Sequence, residues 1–466
     1  MRYLAFASAG IIFTFLFCLM YENSGIIYYE QDNSYTDIRS QHNESLFVYS
    51  TPEDMFVSYM YNSTTDIPSQ DEELTNFLQK LQKQIKTMAA NSSRDVMATI
   101  NYKMTSSSNH LKPGYSTEQK ERINRIKTVC KDTDLFRDLI YKGKNNTRYY
   151  YSKTYGFSYC KVPKSGSTFW TQAFYILENG VANSETVFSK ARSRVHGLMG
   201  KFSVNFNSQQ RKHSLSVIVS RDPFSRLYSA FIDKSFLFLN INLNREIMQL
   251  RSPWKRSYCL DDVTFQEFLD FIILKVGMGQ TLNRHWAPIY NLCRPCDVNA
   301  YILVKQESFS KDVEQALKAF SVPDEKLDTI LSALHEHRIE TTIPGIVQTV
   351  MNRNKITKKG SCVYGQKLIQ RIWTAFKIQG YLKETIEFPS KLFNNKLQYD
   401  DTSYVTEVIL ASINRNKMTS SEMKRQRHRA LVDAYSEIRY ETLEQIIEIY
   451  KLDFKIFNYS TIIPHD

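Results

Sequence analysis

The chain has 466 residues, of which 42% are hydrophobic and 13% aromatic, so it buries a core and is neither collagen-like nor wholly disordered. The 60 lysines and arginines exceed the 48 aspartates and glutamates, and the net charge of +12 indicates an anionic partner. That partner could be nucleic acid, a membrane surface, a phosphorylated small molecule or an acidic polymer.

The amino terminus predicts a membrane anchor. Residues 4–21 form an uncharged run bordered by tyrosines, as is common at a membrane interface. The residues that follow lack a small-x-small cleavage site, which favours an uncleaved signal-anchor over a cleaved signal peptide. Residues 1–3 then form a short cytosolic tail, because their positive charge precedes the span and Glu22 follows it.

Residues 22–115 are polar and predict a luminal stem. Within this stem, residues 74–88 space apolar side chains by four and three, which suits a short coiled coil for homodimerisation or a helix packed on the main domain. Asn-x-Ser/Thr sequons indicate glycosylation in the secretory pathway. These sequons begin at Asn43, Asn62, Asn91, Asn145 and Asn458.

The cysteines beyond the anchor indicate disulfide bonds. Six are present, an even number suited to an oxidising compartment, but six cysteines allow fifteen full pairings. The pair Cys293 and Cys296 is alternatively half of a zinc site. Since no second CxxC or HxxxH accompanies this pair, disulfide bonds are the favoured interpretation.

Residues 116–466 have the composition of a folded domain. Residues 155–162, 215–220 and 300–305 are short, β-branched or aromatic runs that predict strands, and each leads into a helical pattern. Alternating strands and helices predict an α/β fold with a parallel sheet flanked by helices and ligands at the carboxyl ends of its strands. Helical periodicity recurs over 265–276, 366–382 and 421–450.

The turn after the first predicted strand suits an anion. It is small and rich in hydroxyls, so backbone N–H groups at the start of the next helix can surround a phosphate, with Lys164 adding a mobile positive charge. The nucleotide-hydrolase pattern G-x-x-x-x-G-K-[ST] is absent, because here the lysine precedes the glycine.

The second predicted strand ends in another anion-binding pattern. Arg221 lies at its carboxyl end, Asp222 is suited to cap the following helix, and Ser229 falls about two turns into that helix. Arg226 either contributes to this anion site or is a solvated helix residue, and the second interpretation is favoured. Anion sites on neighbouring strand ends predict a ligand with two separated phosphates.

These two motifs resemble those of sulfotransferases that use 3′-phosphoadenosine 5′-phosphosulfate. The segments 283–296 and 301–307 and the carboxyl-terminal segment 450–459 are similar to blocks of Golgi carbohydrate sulfotransferases of the chondroitin, dermatan and N-acetylgalactosamine 4-O-sulfotransferase type. The resemblance implies a single-pass type II Golgi membrane protein with a luminal catalytic domain. It also implies the sulfotransferase fold and a reaction that needs no metal.

The resemblance further implies the donor site. Lys164 would neutralise charge at the breaking bond, the loop would hold the 5′-phosphate, and Arg221 and Ser229 would bind the 3′-phosphate. The donor-binding residues carried over by motif are Pro163, Lys164, Ser165, Gly166, Ser167, Thr168, Phe169, Arg221, Asp222, Pro223, Phe224, Ser225, Arg226, Leu227, Tyr228 and Ser229.

A general base for the acceptor hydroxyl is still required. His196, in a basic segment between the two motifs, is the first candidate and His285 the weaker one. Glu307, directly after the third predicted strand, is a further candidate. Each has a structural alternative: a structural or surface imidazole for the histidines, and helix capping for Glu307.

The acceptor is expected to be an acidic or neutral glycan. Residues 325–420 are expected to be longer than the corresponding part of the family. Basic residues over 353–359, like Arg192 and Arg194, suit either an acidic acceptor or a solvated surface. The loop sequence departs from the 4-O type, so the loop does not define the acceptor.

Nucleic acid is excluded as a partner of a luminal glycoprotein. The alternatives are a non-catalytic glycan-binding protein and, less favoured, a nucleotide-dependent kinase.

Overall fold

The computed structural model describes residues 116–465, with gaps at 138, 142–147, 182–186, 189–191, 205–213, 238–239, 252–261, 336–338 and 357–361. All of these belong to one compact unit, Ser107–Asp466. The predicted cytosolic tail, anchor and stem and four of the five sequons lie outside the described residues. Among the residues that are described, no helix is long and apolar enough to cross a membrane.

A five-stranded sheet forms the centre of the fold, in the order β3-β1-β2-β4-β5. Its strands are β1 Tyr149–Ser152, β2 Phe157–Cys160, β3 Ser203–Val204, β4 Leu215–Ser220 and β5 Asn299–Lys305. The three predicted strands correspond to β2, β4 and β5, which are parallel to one another. The prediction of a wholly parallel sheet is wrong, because β1 forms a hairpin with β2 and also pairs antiparallel with β3.

Helices cover the sheet on both sides. In the first part of the chain they are α1 Thr117–Val129, α2 Thr133–Arg137, α3 Ser167–Asn179, α4 Arg192–Leu198, α5 Pro223–Phe231, α6 Ile241–Met248, α7 Phe265–Gly277 and α8 Ile289–Cys293. A π-helix, Ile232–Leu237, continues α5 directly. Short 3₁₀ turns lie at Gly200–Phe202 and Gln306–Ser308.

The later helices are α9 Phe309–Ala319, α10 Asp324–His335, α11 Ile339–Ile356, α12 Gln366–Ile378, α13 Lys396–Asp400, α14 Thr402–Arg415, α15 Ser420–Ser436, α16 Tyr440–Ile449 and α17 Lys451–Phe457, with a 3₁₀ turn at Ser390–Phe393. Within the predicted insertion, α11, α12 and α14 share an apolar cluster of their own that includes Val347, Trp373 and Ile409. Much of the basic 353–359 segment lies outside the described residues.

The main core packs α3, α9 and α10 against the sheet. It is unusually aromatic, with Phe157 stacked on Phe320 at 4.2 Å between ring centroids and Tyr159 stacked on Trp170 at 5.2 Å. Strand β5 is an edge, and the buried Gln119 of α1 pairs with both the carbonyl and the N–H of Leu303 at 3.0 Å. This side chain blocks further strand pairing there.

Two disulfides tie the end of α8 and the turn after it to the rest of the domain. Cys160 at the end of β2 bonds Cys293, and Cys130 after α1 bonds Cys296. The prediction of disulfides is therefore confirmed for these four residues, and the zinc alternative for Cys293 and Cys296 is wrong. Cys362 is also disulfide-bonded.

Candidate active site

The loop between β2 and α3 exposes a helix end that is ready to accept an anion. Gly166 has a φ of +77°, and a Cβ there would lie 2.5 Å from the ring of Phe309, so only glycine fits. Helix α3 begins at the next residue without any side-chain cap. The N–H groups of its first turn, which have no intrahelical acceptor, therefore suit a phosphate.

Lys164 lies in the same loop and makes an ion pair that the sequence did not reveal. Its backbone is left-handed, with a φ of +69°. Its Nζ lies 3.2 Å from Oδ2 of Asp233, and the two side chains are only 12% and 5% exposed. Asp233 belongs to the π-helix, a form that is frequent at functional sites. The next residue, Lys234, places its Nζ 3.9 Å from the same carboxylate oxygen.

His285 belongs to the same electrostatic cluster. Its Nδ1 lies 2.7 Å from Oδ1 of Asn283, and this oxygen can only accept, so Nδ1 carries the proton and Nε2 presents a lone pair. Burial lowers the pKa of His285 well below its ordinary value, and the positive charges of Lys234 and Lys164 lower it further while Asp233 opposes them. The imidazole is therefore neutral at physiological pH.

His196 lies elsewhere in the fold. Its Nδ1 faces Oγ1 of Thr171 at 3.4 Å, and Thr171 in turn donates to the carbonyl of Ser167 at 2.6 Å. These contacts brace the first turn of α3. These contacts suit the structural alternative for His196, and the order of the two candidate bases stays a prediction.

Arg221 occupies the end of β4, as predicted. Its Nη1 donates to the carbonyl of Lys164 at 2.7 Å, which joins the two motifs, and its Nε and Nη2 donate to Oγ of Ser225 at 3.0 and 2.8 Å. Asp222 caps α5 by accepting from the N–H of Ser225 at 2.8 Å. Ser229 is half-buried and lies two turns along the same helix.

Arg226 is not the solvated helix residue that the sequence predicts. It is only 1% exposed. Its guanidinium donates to the carbonyls of Pro163, Ala287 and Arg284 at 3.1, 2.6 and 3.0 Å. Because these carbonyls belong to the anion loop and to the segment beside His285, Arg226 fixes the two parts of the site relative to each other.

Several other residues carried over by motif are packing residues. The side chains of Ser165, Phe224 and Leu227 are at most 1% exposed, so they pack inside the loop and α5. Tyr228 is half-buried with its ring 5.2 Å from that of Phe265, and Phe169 contacts the ring of Phe309 at 5.5 Å. Their contribution is the shape of the site.

The carboxyl-terminal helix α17 supports the segment that carries His285. Buried Asp453 accepts from the N–H groups of Ile289 and Tyr290 at 2.6 and 2.7 Å, and so caps α8. Burial raises the pKa of Asp453 to about 6, against the opposing effect of these bonds and of Arg226. Tyr450 donates to the carbonyl of Trp286. The terminal signature therefore positions the 283–293 segment.

Glu307 is engaged on both carboxylate oxygens. Oε1 accepts from the backbone N–H of Asp222 at 3.0 Å, and Oε2 accepts from the phenol of Tyr459 at 2.9 Å. The geometry favours the capping alternative for Glu307 over general-base catalysis. Burial, reinforced by the negative charge of Glu307, raises the pKa of Asp222 to about 6.

Together these groups fit a ligand with two separated phosphates. One end offers the uncapped start of α3 with Lys164, and the other offers Arg221 with Ser229. The fold and the site thus define an α/β protein with groups suited to anions at the ends of two neighbouring parallel strands.

Comparison with known proteins identifies the family. Residues 147–377 match the model of the sulfotransferase family, and the chain belongs to this family, as the resemblance of its motifs implied. Related proteins include carbohydrate sulfotransferase 14 of Mus musculus, 29% identical over 182 residues that cover 37% of this chain and 46% of the relative. Carbohydrate sulfotransferase 11 of Danio rerio is 26% identical over 34% of this chain and 49% of its own length.

A longer match joins the chain to carbohydrate sulfotransferase 10 of Gallus gallus, at 26% identity over 56% of this chain and 74% of the relative. The chain spans about half the length of the first two relatives. No solved structure matches the chain.

Proposed function

We propose that the protein transfers a sulfuryl group from 3′-phosphoadenosine 5′-phosphosulfate to a hydroxyl of a carbohydrate. The single observation that carries this proposal is the meeting of Lys164, Asp233 and His285 beside a phosphate-binding helix end, with Arg221 bonded to the same loop. Membership of the sulfotransferase family supports the donor, and the names of the relatives support a carbohydrate acceptor.

The donor residues divide into two groups. The first N–H groups of α3 would hold the 5′-phosphate, and Arg221 with Ser229 would bind the 3′-phosphate. The donor, when bound, supplies the sulfuryl group on an activated linkage to that 5′-phosphate. Lys164, which pairs with Asp233 in the free protein, would stabilise the charge on the leaving oxygen. Positioning and electrostatics should dominate, as they do in phosphoryl transfer.

His285 would act as the general base. Its lone pair on Nε2 accepts the proton of the acceptor hydroxyl as the hydroxyl oxygen bonds to sulfur and the bond between sulfur and the bridging oxygen breaks. In the free protein Lys164 and Lys234 weaken this base by lowering its pKa. A bound polyanionic donor offsets these positive charges, so His285 becomes more basic when the donor is in place.

A transfer assay tests the proposal. The full chain, solubilised in detergent, is incubated with donor labelled in the sulfate and with chondroitin, dermatan and N-glycan acceptors. Label should appear on at least one glycan, and Lys164→Ala should abolish this transfer. Lys318→Ala is the matched control, since Lys318 makes an exposed pair with Glu314. Transfer to none of the glycans, together with no binding of adenosine 3′,5′-bisphosphate, would refute the function.

We also propose that residues 4–21 anchor the protein in the Golgi membrane with the catalytic domain in the lumen. The disulfides suit that oxidising compartment, and Asn458 of the last sequon is exposed. Protease protection in sealed Golgi vesicles measures the orientation. The domain should be digested only after detergent is added, and digestion of intact vesicles would contradict a luminal domain.

A further inference from the structure

The segment after α17 returns to the 3′-phosphate end of the candidate site. Asn458 takes the left-handed conformation with a φ of +56° and turns the chain there. Lys305, at the end of β5, donates to the carbonyl of Asn458 at 3.3 Å, and its Nζ lies 4.3 Å from the centre of the Tyr459 ring. These contacts hold Tyr459 against the ends of β4 and β5.

The phenol of Tyr459 joins two groups at this point. It lies 3.0 Å from Oγ of the buried Ser220 and donates to Glu307 at 2.9 Å, so the serine is the donor in the first bond. Burial and the Glu307 carboxylate raise the pKa of Tyr459 well above its ordinary value. The phenol therefore keeps its proton and donates at any physiological pH.

Glu307 has a stronger partner close by. Burial lowers the pKa of Arg221 and the charge of Glu307 opposes this effect, so the two groups interact. The guanidinium nevertheless donates to Lys164 and Ser225. The carboxylate is held instead by the N–H of Asp222 and by Tyr459. A freed Glu307 would form a charge-assisted pair with Arg221 and compete with any phosphate for it.

We propose that Tyr459 is a positioning residue that keeps the Glu307 carboxylate on the amide of Asp222 and away from Arg221. Arg221 is then available to the 3′-phosphate of the donor. This inference rests on the proposed function, because it assigns Arg221 to that phosphate.

Titration calorimetry on the full chain tests the proposal with two probes. Adenosine 3′,5′-bisphosphate carries the 3′-phosphate, and adenosine 5′-phosphate lacks it. Tyr459→Phe should weaken binding of the bisphosphate by roughly 10-fold, as expected for one bond to a charged group, and leave binding of the monophosphate unchanged. In turnover, the KM for the donor should rise while kcat changes little.

The double variant Tyr459→Phe with Glu307→Gln separates positioning from simple loss of structure. A neutral amide cannot compete with phosphate for Arg221, so this variant should recover most of the bisphosphate affinity. Tyr440→Phe is the matched control, because it removes a phenol–carboxylate bond, to Glu444, from an exposed helix. It should bind both nucleotides as the wild type does.

The outcomes discriminate between the two proposals. If the wild type does not bind the bisphosphate, the proposed function fails. If the wild type binds and Tyr459→Phe binds equally well, or if Glu307→Gln restores nothing, the role of Tyr459 is refuted. A thermal melt of each variant shows that it is folded, and equal loss of both nucleotides would mark a general structural defect that also contradicts the proposal.

Discussion

At the end of β2 the following helix has no side-chain cap, and Lys164 pairs with a carboxylate that its neighbour Lys234 also approaches. At the end of β4 the following helix is capped by Asp222, and Arg221 donates three hydrogen bonds to fixed partners. Both strand ends suit an anion. At the end of β2 the charged groups are able to exchange partners, whereas at the end of β4 hydrogen bonds hold them in place. Under the proposed function, this difference corresponds to a transferred group at β2 and a retained phosphate at β4.

The largest effect should come from removing His285, the proposed base, whose charged neighbours include Lys164 after β2. His285→Gln should lower kcat by roughly 10²–10⁴-fold, because general-base catalysis contributes about that much, while binding of adenosine 3′,5′-bisphosphate stays unchanged. Steady-state kinetics and calorimetry measure the two quantities. His196→Gln is the control, since His196 contacts Thr171. A larger loss of kcat in the control would reverse the assignment.

The next prediction compares two arginines of one motif, Arg226 and Arg221, in their effects on stability and on ligand binding. Arg226→Met should lower the free energy of unfolding by about 3–5 kcal/mol, because three buried carbonyls lose their donor. Arg221→Met should cost far less stability but should weaken binding of the bisphosphate by roughly 100-fold, the loss expected of a charged pair. Urea unfolding and calorimetry separate the effects, and equal effects of both variants would remove the distinction.

A smaller change should follow at the anion loop. Gly166→Ala places a methyl group against the Phe309 ring at a φ of +77°, which should cost about 1–3 kcal/mol in unfolding free energy and weaken nucleotide binding. Gly277→Ala is the matched control, since nothing lies within 4 Å of its added Cβ. Unchanged stability and binding in Gly166→Ala would show that the loop is less constrained than the geometry indicates.

The smallest predicted effect is a shift in pH dependence. Removing the positive charge in Lys234→Met raises the pKa of His285, because that charge is one of the causes that lower it. The acidic limb of the kcat/KM profile should therefore move to higher pH. Lys275→Met, on α7 and paired with Glu246, should leave the limb in place. A shift of the acidic limb to lower pH in Lys234→Met would contradict the electrostatic interaction between Lys234 and His285.

Much of the fold follows from the sequence. Strands β2, β4 and β5 were predictable because each is a short apolar run bounded by turn residues, and Asp222-Pro223 marked the start of α5. Strands β1 and β3 were missed, since β3 has two residues and β1 is a short run of tyrosines after a polar segment. The sheet is mixed, and not wholly parallel, because β1 pairs antiparallel with both β2 and β3.

The site was less predictable where its contacts are distant in the chain. A charged residue on a helix is usually solvated, and the three carbonyls that bury Arg226 lie 58 to 63 positions away. No motif marks Asp233, and the similarity of segment 450–459 to the family does not assign a role to Tyr459, because the partners of both residues come from other elements. Lys164 and Arg221 were found because strand ends and helix starts are local patterns.

A crystal structure of the chain with adenosine 3′,5′-bisphosphate tests the central claim most directly. The 5′-phosphate should lie within hydrogen-bond distance of the N–H groups at the start of α3, and the 3′-phosphate should contact Arg221 and Ser229. Glu307 should remain on Tyr459 and the amide of Asp222. A nucleotide bound away from these two strand ends, or with its phosphates exchanged between them, would contradict the account.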